Sequence, residues 1–308
     1  MIANISPATL LRHAGSLVIT LIAGCIVIAL VVFLPRAFPR DRPPDAASVT
    51  AYLSGAAHYL GQLAQGDLGT DARRRPLNRD LLIAARRTLE LLTVSVAATL
   101  PLGIAWGALL ASARRPGLRA LLFAFTSIVI SLPSFLFMLF AIKGVASLTH
   151  TTGVQIALIN GYGLDRHLLL PVSVLALRGA AYMARSLQIA QEEIMRQDWI
   201  RAARARGLGG ARLWWRQVLP AMRVPVLGSL LGTLRVLVGG LVMVDFVFGW
   251  GGLGRKMLMI TADGRVSGTN DVVVAGSAVL LLVFFVVVDA LGDWAAGSGS
   301  ASVSDVHP

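Results

Sequence analysis

The sequence predicts an all-α membrane protein of about six transmembrane helices. Its 308 residues are 56% hydrophobic and only 14% charged, whereas roughly a quarter of the residues in a soluble domain are charged. The mean hydropathy is +0.71, and apolar runs recur that reach the roughly 20 residues a helix needs to cross a bilayer. No short alternating pattern typical of membrane strands recurs, so each run is predicted to be a helix.

The predicted spans follow one another along the chain, with most charged residues between them. They cover residues 14–34, 91–111, 120–142 (extendable to 148), 168–190, 224–248 and 272–291. The first run could instead be a cleaved signal peptide. Its apolar core is too long for that, and PRAFPRDRPP follows it where a small-residue cleavage site is needed. An uncleaved first helix is therefore expected.

Residues 35–90, between the first two spans, are predicted to form an external loop with helices of its own. The proline-rich start cannot be helical. Apolar residues then recur every three or four positions, which predicts an amphipathic helix lying at the surface. These residues are Tyr52, Leu53, Ala56, Tyr59, Leu60 and Leu63. Gly66 and Gly69 are expected to end this helix, and a second helix over 77–87 to lead into the second span.

The remaining segments complete the predicted organisation. Residues 1–13 are expected to be a cytoplasmic N-terminus, 91–296 a five-helix core with a polar loop at 191–223, and 297–308 a flexible polar tail. Six spans place both termini on one side of the membrane. The Lys and Arg totals of the two sides are nearly equal, so the positive-inside rule does not orient the chain as a simple tally. The density of arginines in 191–223 favours the cytoplasm for this loop and for both termini.

Composition gives no sign of a catalytic or metal site. Cys25 lies alone in the first span, and the five histidines are scattered without a metal-binding pairing. The sequence has no GxxxxGK[ST] phosphate loop, so the chain is not expected to hydrolyse ATP itself. Its net charge of +12 suits anionic headgroups and topology control rather than nucleic acid. We expect no metal and no cofactor in this chain.

The most patterned polar stretch is residues 198–220, DWIRAARARGLGGARLWWRQVLP, hereafter the arginine segment. The sequence predicts two short helices lying on the membrane surface. Asp198 is expected to cap the first, and Gly207 with the glycines after it to break the chain. A second helix is expected over 211–218, with Pro220 stopping it.

This segment resembles the EAA loop of ABC-transporter permease subunits, whose pattern reads Glu-Ala-Ala, three residues, Gly, nine residues, Ile-x-Leu-Pro. The residues at the matching positions are Arg201, Ala202, Ala203, Gly207, Leu219 and Pro220. Arg201 replaces the glutamate of the pattern, and Gln217 replaces its isoleucine. The paired alanines would give a flat face that another protein can approach closely. RQDWIRAARARGL is similar to the loops of the branch that moves dipeptides, oligopeptides and nickel.

Other stretches resemble that branch in the same order, over roughly residues 10–296. GDLGTDARRRPLNRDLLIAARRTLELL is similar to the end of its first external loop, SLPSFLFMLF to its third span, and AAYMAR to its fourth. VDFVFGWGGLGRKM resembles its usual VETVFSWPGLGRLL, with Asp245 in place of Glu and Gly251 in place of Pro.

The resemblance implies a type I ABC importer permease fold in the bacterial inner membrane. Such a permease forms the translocation path, and its EAA positions contact separate ATPase subunits that bind ATP and magnesium. The implied partners are a second homologous permease, two cytoplasmic ATPases and an extracytoplasmic solute-binding protein. Di- or oligopeptides are the expected substrates; nickel chelates or another small solute are the alternative.

Two other classes of membrane protein fit the sequence less well. A stand-alone secondary transporter needs intramembrane ion sites and usually inverted repeats. A membrane-embedded enzyme needs a cluster of catalytic groups. The sequence shows neither pattern.

Charged residues inside the predicted spans are the remaining candidates for function. An arginine at mid-span costs about 2.5–3.5 kcal/mol on insertion scales, so it usually faces a partner or a wet cavity. Arg178, Arg235 and Asp245 are therefore predicted to line the translocation path, with an arginine meeting a substrate carboxylate. The alternative for each arginine is a structural ion pair with Asp245, Asp289 or the second permease.

Overall fold

The computed structural model describes residues 7–38, 45–70, 74–113, 115–262 and 270–300. Within these ranges the regular structure is helical, apart from an isolated bridge between Thr70 and Pro76. The helices are α1 Pro7–Phe33 with a 3-10 turn Leu34–Arg36, α2 Ala46–Ala64, α3 Asn78–Ser112, α4 Pro116–Ser131, α5 Ser134–Thr152, α6 Leu169–Arg196, α7 Asp198–Ala205, α8 Gly210–Leu213, a π-helical turn Trp214–Val218, α9 Leu219–Ala221, α10 Arg223–Val247, α11 Leu253–Ala262 and α12 Asn270–Ser300.

Among the described residues, five helical segments are long and apolar enough, by length and composition, to cross a membrane. They are Gly15–Arg36, Asn78–Ser112, Ser134–Thr152, Arg223–Val247 and Asp271–Gly292. The predicted fourth span is α6, whose three arginines and two glutamates lower its hydropathy. That helix lies among α3, α4, α5 and α10, so the helices around it shield part of its polar surface from lipid.

The predicted third span is corrected, because it is two helices rather than one. Helix α4 ends at Ser131, and α5 begins at Ser134. Leu132 and Pro133 between them have extended backbone, with ψ of 134° and 140°. Proline has no N–H to donate and disfavours helical geometry at the residue before it. The proline therefore breaks the span instead of only bending it.

The helix predicted over 77–87 does lead into the second span. The helices predicted over 77–87 and 91–111 form the single 35-residue helix α3, with Pro101 inside it. No breaker separates the two stretches, and Arg86 pairs with Glu90 at 2.9 Å across the predicted junction. A Glu–Arg pair four residues apart supports a continuous helix.

The amphipathic helix is confirmed as α2, but its apolar face packs on protein. Asp45 accepts a hydrogen bond from the Ser48 N–H at 2.8 Å and begins the helix with a capping box. Tyr59 is 1% exposed and packs with Phe33 of α1 and Ala275 of α12. Arg36, just after α1, reaches Asp271 at 2.9 Å and joins that end of α1 to the start of α12.

Small residues bring α3 and α6 together, as is typical between membrane helices. Added Cβ atoms at Gly103 and Gly107 would lie within 2.9 Å of Met183 and 3.2 Å of Ala184. Gly179 faces Thr99 in the same way. The contacts advance along both helices together, so α3 and α6 run parallel, and both end on the side where the arginine segment begins.

Two chain ends fall partly outside the described residues. Helix α1 begins at Pro7 and α12 continues to Ser300. The tail predicted to be flexible from residue 297 therefore starts as helix. Residues 1–6 and 301–308 lie outside the described ranges.

Candidate functional site

The arginine segment forms short helices, as predicted, but its first helix is capped differently. Gln197 has extended backbone and is the cap residue, while Asp198 is the first residue of α7 and pairs with Arg201 at 3.2 Å. The break after α7 requires glycine, because Gly207 and Gly210 have φ of +83° and +54°.

The second half of the segment corrects the prediction at Pro220. The backbone stays helical from α8 through the π-helical turn and α9, and α10 begins at Arg223. The N–H of Leu219 donates to the carbonyl of Trp214, five residues back. This wider turn accommodates the missing N–H of Pro220, a known cause of π-type insertions and bends in helices.

Apolar side chains fix the arginine segment to the helix bundle. Ile200 and Ala203 are fully buried, and Val218 and Met222 pack into the same cluster. On the bundle side the cluster includes Met183 and Leu187 of α6, together with Leu100 of α3. A displacement of α7 is therefore passed to α6 by packed side chains rather than by a loose loop.

The opposite side of the segment is open and basic. Its exposed residues include Arg201, Ala202, Arg204, Ala205, Arg206, Gly207, Arg212, Arg216, Leu219 and Pro220. We call this set the basic face. The two predicted alanines do not share it: Ala202 is exposed, whereas Ala203 is 0% exposed. Consecutive helical residues point about 100° apart, so Ala203 turns toward Met183 and Leu187 of α6 while Ala202 stays exposed.

Trp199 and Trp215 stand next to the basic face with 41% and 65% of their surface exposed. Trp214 is partly buried and lies edge-on to Trp215, with ring centroids 5.4 Å apart. The segment therefore offers large aromatic surfaces beside its arginines.

The three charged residues predicted in the path have separate environments. Arg178 is half-buried and donates a hydrogen bond to the Ser134 hydroxyl at the start of α5. Arg235 of α10 pairs with Asp289 of α12 at 2.5 Å, with side chains 46% and 37% exposed. Asp245 is 1% exposed and accepts hydrogen bonds from the turn that follows the C-terminal end of α10.

That turn, residues 248–252, connects α10 with α11; we call it the Trp250 turn. Asp245 accepts hydrogen bonds from the N–H groups of Gly252 at 2.8 Å and Arg255 at 3.0 Å. Its carboxylate thus satisfies donors in the first turn of α11, where negative charge is favoured. Gly249 and Gly251 have φ of +61° and +83°, a geometry that glycine adopts without strain.

Hydrogen bonds to α3 fix the position of the Trp250 turn. Trp250 is fully buried, and its indole N–H donates to the Arg87 carbonyl at 2.8 Å. Thr88 accepts from the Leu253 N–H at 2.9 Å. The turn motif is visible in the sequence, but nothing in the sequence signals Arg87 and Thr88 as its supports.

Tyr162 adds a third element to this end of the bundle. It lies in the connection between α5 and α6 and packs edge-on against Trp250, with ring centroids 4.9 Å apart. Its hydroxyl donates to Glu90 at 2.7 Å, and the Arg87 guanidinium lies 4.3 Å above its ring. The hydrogen bond to the carboxylate raises the pKa of Tyr162 above its ordinary value.

Among the described residues, no group of three or more His, Cys, Asp or Glu side chains is arranged to hold a metal ion. The polar groups that stand out are therefore the basic face, Arg178 with Ser134, and the supports of the Trp250 turn.

Comparison with known proteins identifies relatives over most of the chain. Residues 103–297 match the family model described as "Binding-protein-dependent transport system inner membrane component". The oligopeptide transport system permease protein AppB of Bacillus subtilis (strain 168) is 33% identical over 243 residues, covering 76% of each chain. The probable D,D-dipeptide transport system permease protein DdpB of Escherichia coli (strain K12) is 32% identical over 263 residues, covering 76% of this chain and 75% of the relative.

Solved structures with a similar fold include an inward-facing MetNI methionine ABC transporter. Its matching chain has a TM-score of 0.55 and 24% identity, with coverage of 70% of this chain and 94% of that chain. An amino acid ABC transporter crystallised with histidines matches with a TM-score of 0.54 and 18% identity, with the same coverage. At these identities the likeness concerns the fold alone.

Proposed function

Because this chain belongs to the family of binding-protein-dependent transport system inner membrane components, it is the permease subunit of an ABC importer, and we propose that its substrates are di- or oligopeptides. Relatives at 33% and 32% identity over three quarters of the chain are named as oligopeptide and D,D-dipeptide permeases. The proposed substrate class rests on the names of these relatives.

The basic face is the surface we assign to a separate cytoplasmic ATPase. Arg201, Ala202, Gly207, Leu219 and Pro220 are exposed there, and small residues such as Ala202 let a partner backbone come close. Ala203 has a different role in this proposal, because it anchors α7 to the bundle. The arginines favour an ATPase socket with acidic side chains, since complementary potentials guide docking.

The proposed complex contains a second homologous permease, two ATPases and an extracytoplasmic solute-binding protein. ATP and magnesium belong to the ATPases, because this sequence has no phosphate loop. In this arrangement residues 191–223 and both termini are cytoplasmic, and the Trp250 turn lies on the opposite side. Asp245 and Arg235 have structural roles, in the turn and in the ion pair with Asp289.

Coupling follows from how the arginine segment is attached. When two ATPases close on ATP, the segment moves with them. Ile200 and Ala203 pass that movement to Met183 and Leu187 of α6. A helix bundle with two packed arrangements is then biased toward one of them, which alternates access to the path.

The test is co-purification of the tagged chain from native membranes in mild detergent, with mass spectrometry of the bound proteins. We expect an ATPase with a phosphate loop and a second permease. Arg204→Glu, a charge reversal on the basic face, should lose the ATPase, whereas Arg79→Glu, the same change in the exposed first turn of α3, should keep it. Recovery of the chain alone, with transport that survives ATP depletion and collapses with the proton gradient, would instead indicate a secondary transporter.

Peptide specificity is tested separately, by ATP-dependent uptake of labelled peptides into vesicles with the complete complex.

A further inference from the structure

Arg178 lines a cleft between α5, α6 and α10 whose other lining residues are apolar except for Ser134. These residues are Phe137, Val174, Leu175, Val236, Leu237, Gly240 and Val244. We propose that Arg178 and Ser134 form a carboxylate-binding point in the translocation path, so that this permease favours peptides with a free C-terminal carboxylate. The inference rests on the proposed peptide importer function and adds the group by which the permease recognises its substrate.

Arg178 has more hydrogen-bond donors than partners. A guanidinium carries five N–H donors and no acceptor. Within the described ranges Ser134 is its hydrogen-bond partner, and no carboxylate of those ranges lies within 4.0 Å of it. A charge held inside a membrane-spanning helix is costly unless it meets a partner, so an anion from outside this chain fits the remaining donors.

The other arginines of the spans differ from Arg178. Arg235 pairs with Asp289 at 2.5 Å. Arg185, two turns further along α6, donates to Gln188 at 3.1 Å and lies 4.7 Å above the Phe123 ring. Arg235 therefore has a counter-ion and Arg185 is covered by an aromatic ring, whereas Arg178, among the span arginines that the structure describes, is the one that lines the apolar cleft.

The cleft lies within the span and not at its end. Gly179, next to Arg178, packs against Thr99 near the middle of α3, so Arg178 lies within the span and away from either end. Ser134 follows the break between α4 and α5, and its helix starts at this level. Transporter binding sites are typically built at such discontinuous helices near the bilayer midplane, and a helix N-terminus there adds a favourable potential for an anion.

The cleft is small and apolar. Its empty space is about 280 Å³ when the open mouth is counted, but the enclosed part is only about 10 Å³, about the room of one water molecule. A carboxylate can therefore meet Arg178 at the open mouth, so the cleft offers a contact for the end of a peptide and does not enclose the peptide. Its apolar walls strengthen a guanidinium–carboxylate contact, because such contacts are screened less away from water, and Arg suits the planar carboxylate by bidentate geometry.

The test uses the complete complex in proteoliposomes and two peptides that differ in one group, trialanine and trialanine amide. Each is supplied at a concentration that saturates the binding protein, and uptake is measured for the wild type, Arg178→Gln, Arg178→Lys and Arg185→Gln. We expect Arg178→Gln to slow trialanine uptake about tenfold or more, as for a lost charge-assisted hydrogen bond. Trialanine amide uptake should change little, Arg178→Lys should restore part of the difference, and Arg185→Gln should leave the ratio of the two peptides unchanged.

Three results would contradict parts of this picture, and they are distinct. Equal slowing of both peptides by Arg178→Gln would overturn the carboxylate site. Loss of the second permease from the purified Arg178→Gln complex would also overturn it, because the anion would then come from that subunit. If the wild-type complex takes up neither peptide, while its ATPase partners are present and active, the peptide importer proposal itself fails.

Discussion

Trp250 donates its indole N–H to the backbone carbonyl of Arg87 at 2.8 Å, which ties the connection between α10 and α11 to the first half of α3. The two residues are 163 positions apart in the chain, and Trp250 is fully buried. One side chain thus positions the turn at the end of the bundle opposite the arginine segment.

Trp250→Phe tests that tie. Phenylalanine keeps an aromatic ring but loses the indole hydrogen bond and part of the buried volume, so we expect the free energy of unfolding to fall by about 1–3 kcal/mol. Chemical unfolding in detergent measures the change. Trp215→Phe is the control, because Trp215 is 65% exposed and should change stability little. Equal stability of both variants would show that the indole bond does not hold the turn.

The neighbouring alanines of α7 should respond in opposite ways to a large side chain. Ala202→Trp adds bulk on the exposed basic face, so the protein should stay folded but co-purify with much less ATPase. Ala203→Trp fills a site with no free space, and we expect a loss of about 1–3 kcal/mol or more of stability. Thermal unfolding together with co-purification separates the two effects. If Ala202→Trp retained the ATPase, the basic face would not be the docking surface.

The Arg235–Asp289 contact should behave as a structural ion pair. Asp289→Arg places two cations between α10 and α12, and the reversed pair Arg235→Asp with Asp289→Arg should recover most of the lost stability. We expect a coupling energy of about 1 kcal/mol, because the pair joins two membrane helices and polar contacts between such helices contribute about that much. A double-mutant cycle of unfolding measures it. Additive effects of the two single changes would mean that the contact contributes nothing.

The Tyr162–Glu90 hydrogen bond predicts a pH effect. The carboxylate raises the pKa of Tyr162 above the ordinary value of about 10, so the folded-state pKa exceeds the unfolded one. The bond therefore contributes below about pH 10 and is lost as pH rises through the raised value. Titration of ¹³C-labelled tyrosine by NMR should show a lower pKa for Tyr162 in Glu90→Gln, with Tyr162→Phe assigning the signal. An unchanged titration in Glu90→Gln would mean that another group sets the pKa.

Local patterns predicted much of the fold because bilayer crossing depends on length and hydropathy alone. The first, second, fifth and sixth predicted spans correspond to helices at the expected places. The glycines after α7 do break the helix, as predicted, since Gly207 and Gly210 have φ values that favour glycine. Two predictions at prolines were wrong. Pro133 divides the third span into two helices, whereas the π-helical turn accommodates Pro220 and the helical path continues.

The candidate site was predictable in part for the same reason. The spacing of Arg201, Ala202, Gly207, Leu219 and Pro220 located a surface segment, but it did not distinguish Ala202 from Ala203. That distinction depends on which side of α7 meets Met183 and Leu187, and those residues come from another helix. Likewise, the sequence marked Arg178, Arg235 and Asp245 as charges in spans but could not assign their partners.

The sequence by itself determined that the chain crosses a membrane as a helix bundle, where it breaks at glycines, and where its arginines concentrate. These properties depend on side-chain transfer into lipid and on backbone preferences, which act over a few neighbouring residues. Only the tertiary structure decided that Asp289 neutralises Arg235, that backbone N–H groups occupy Asp245, and that Arg178 faces a cleft with a serine. Such pairings depend on how distant helices meet, because a buried charge is defined by its neighbours in space and not by its neighbours in the chain.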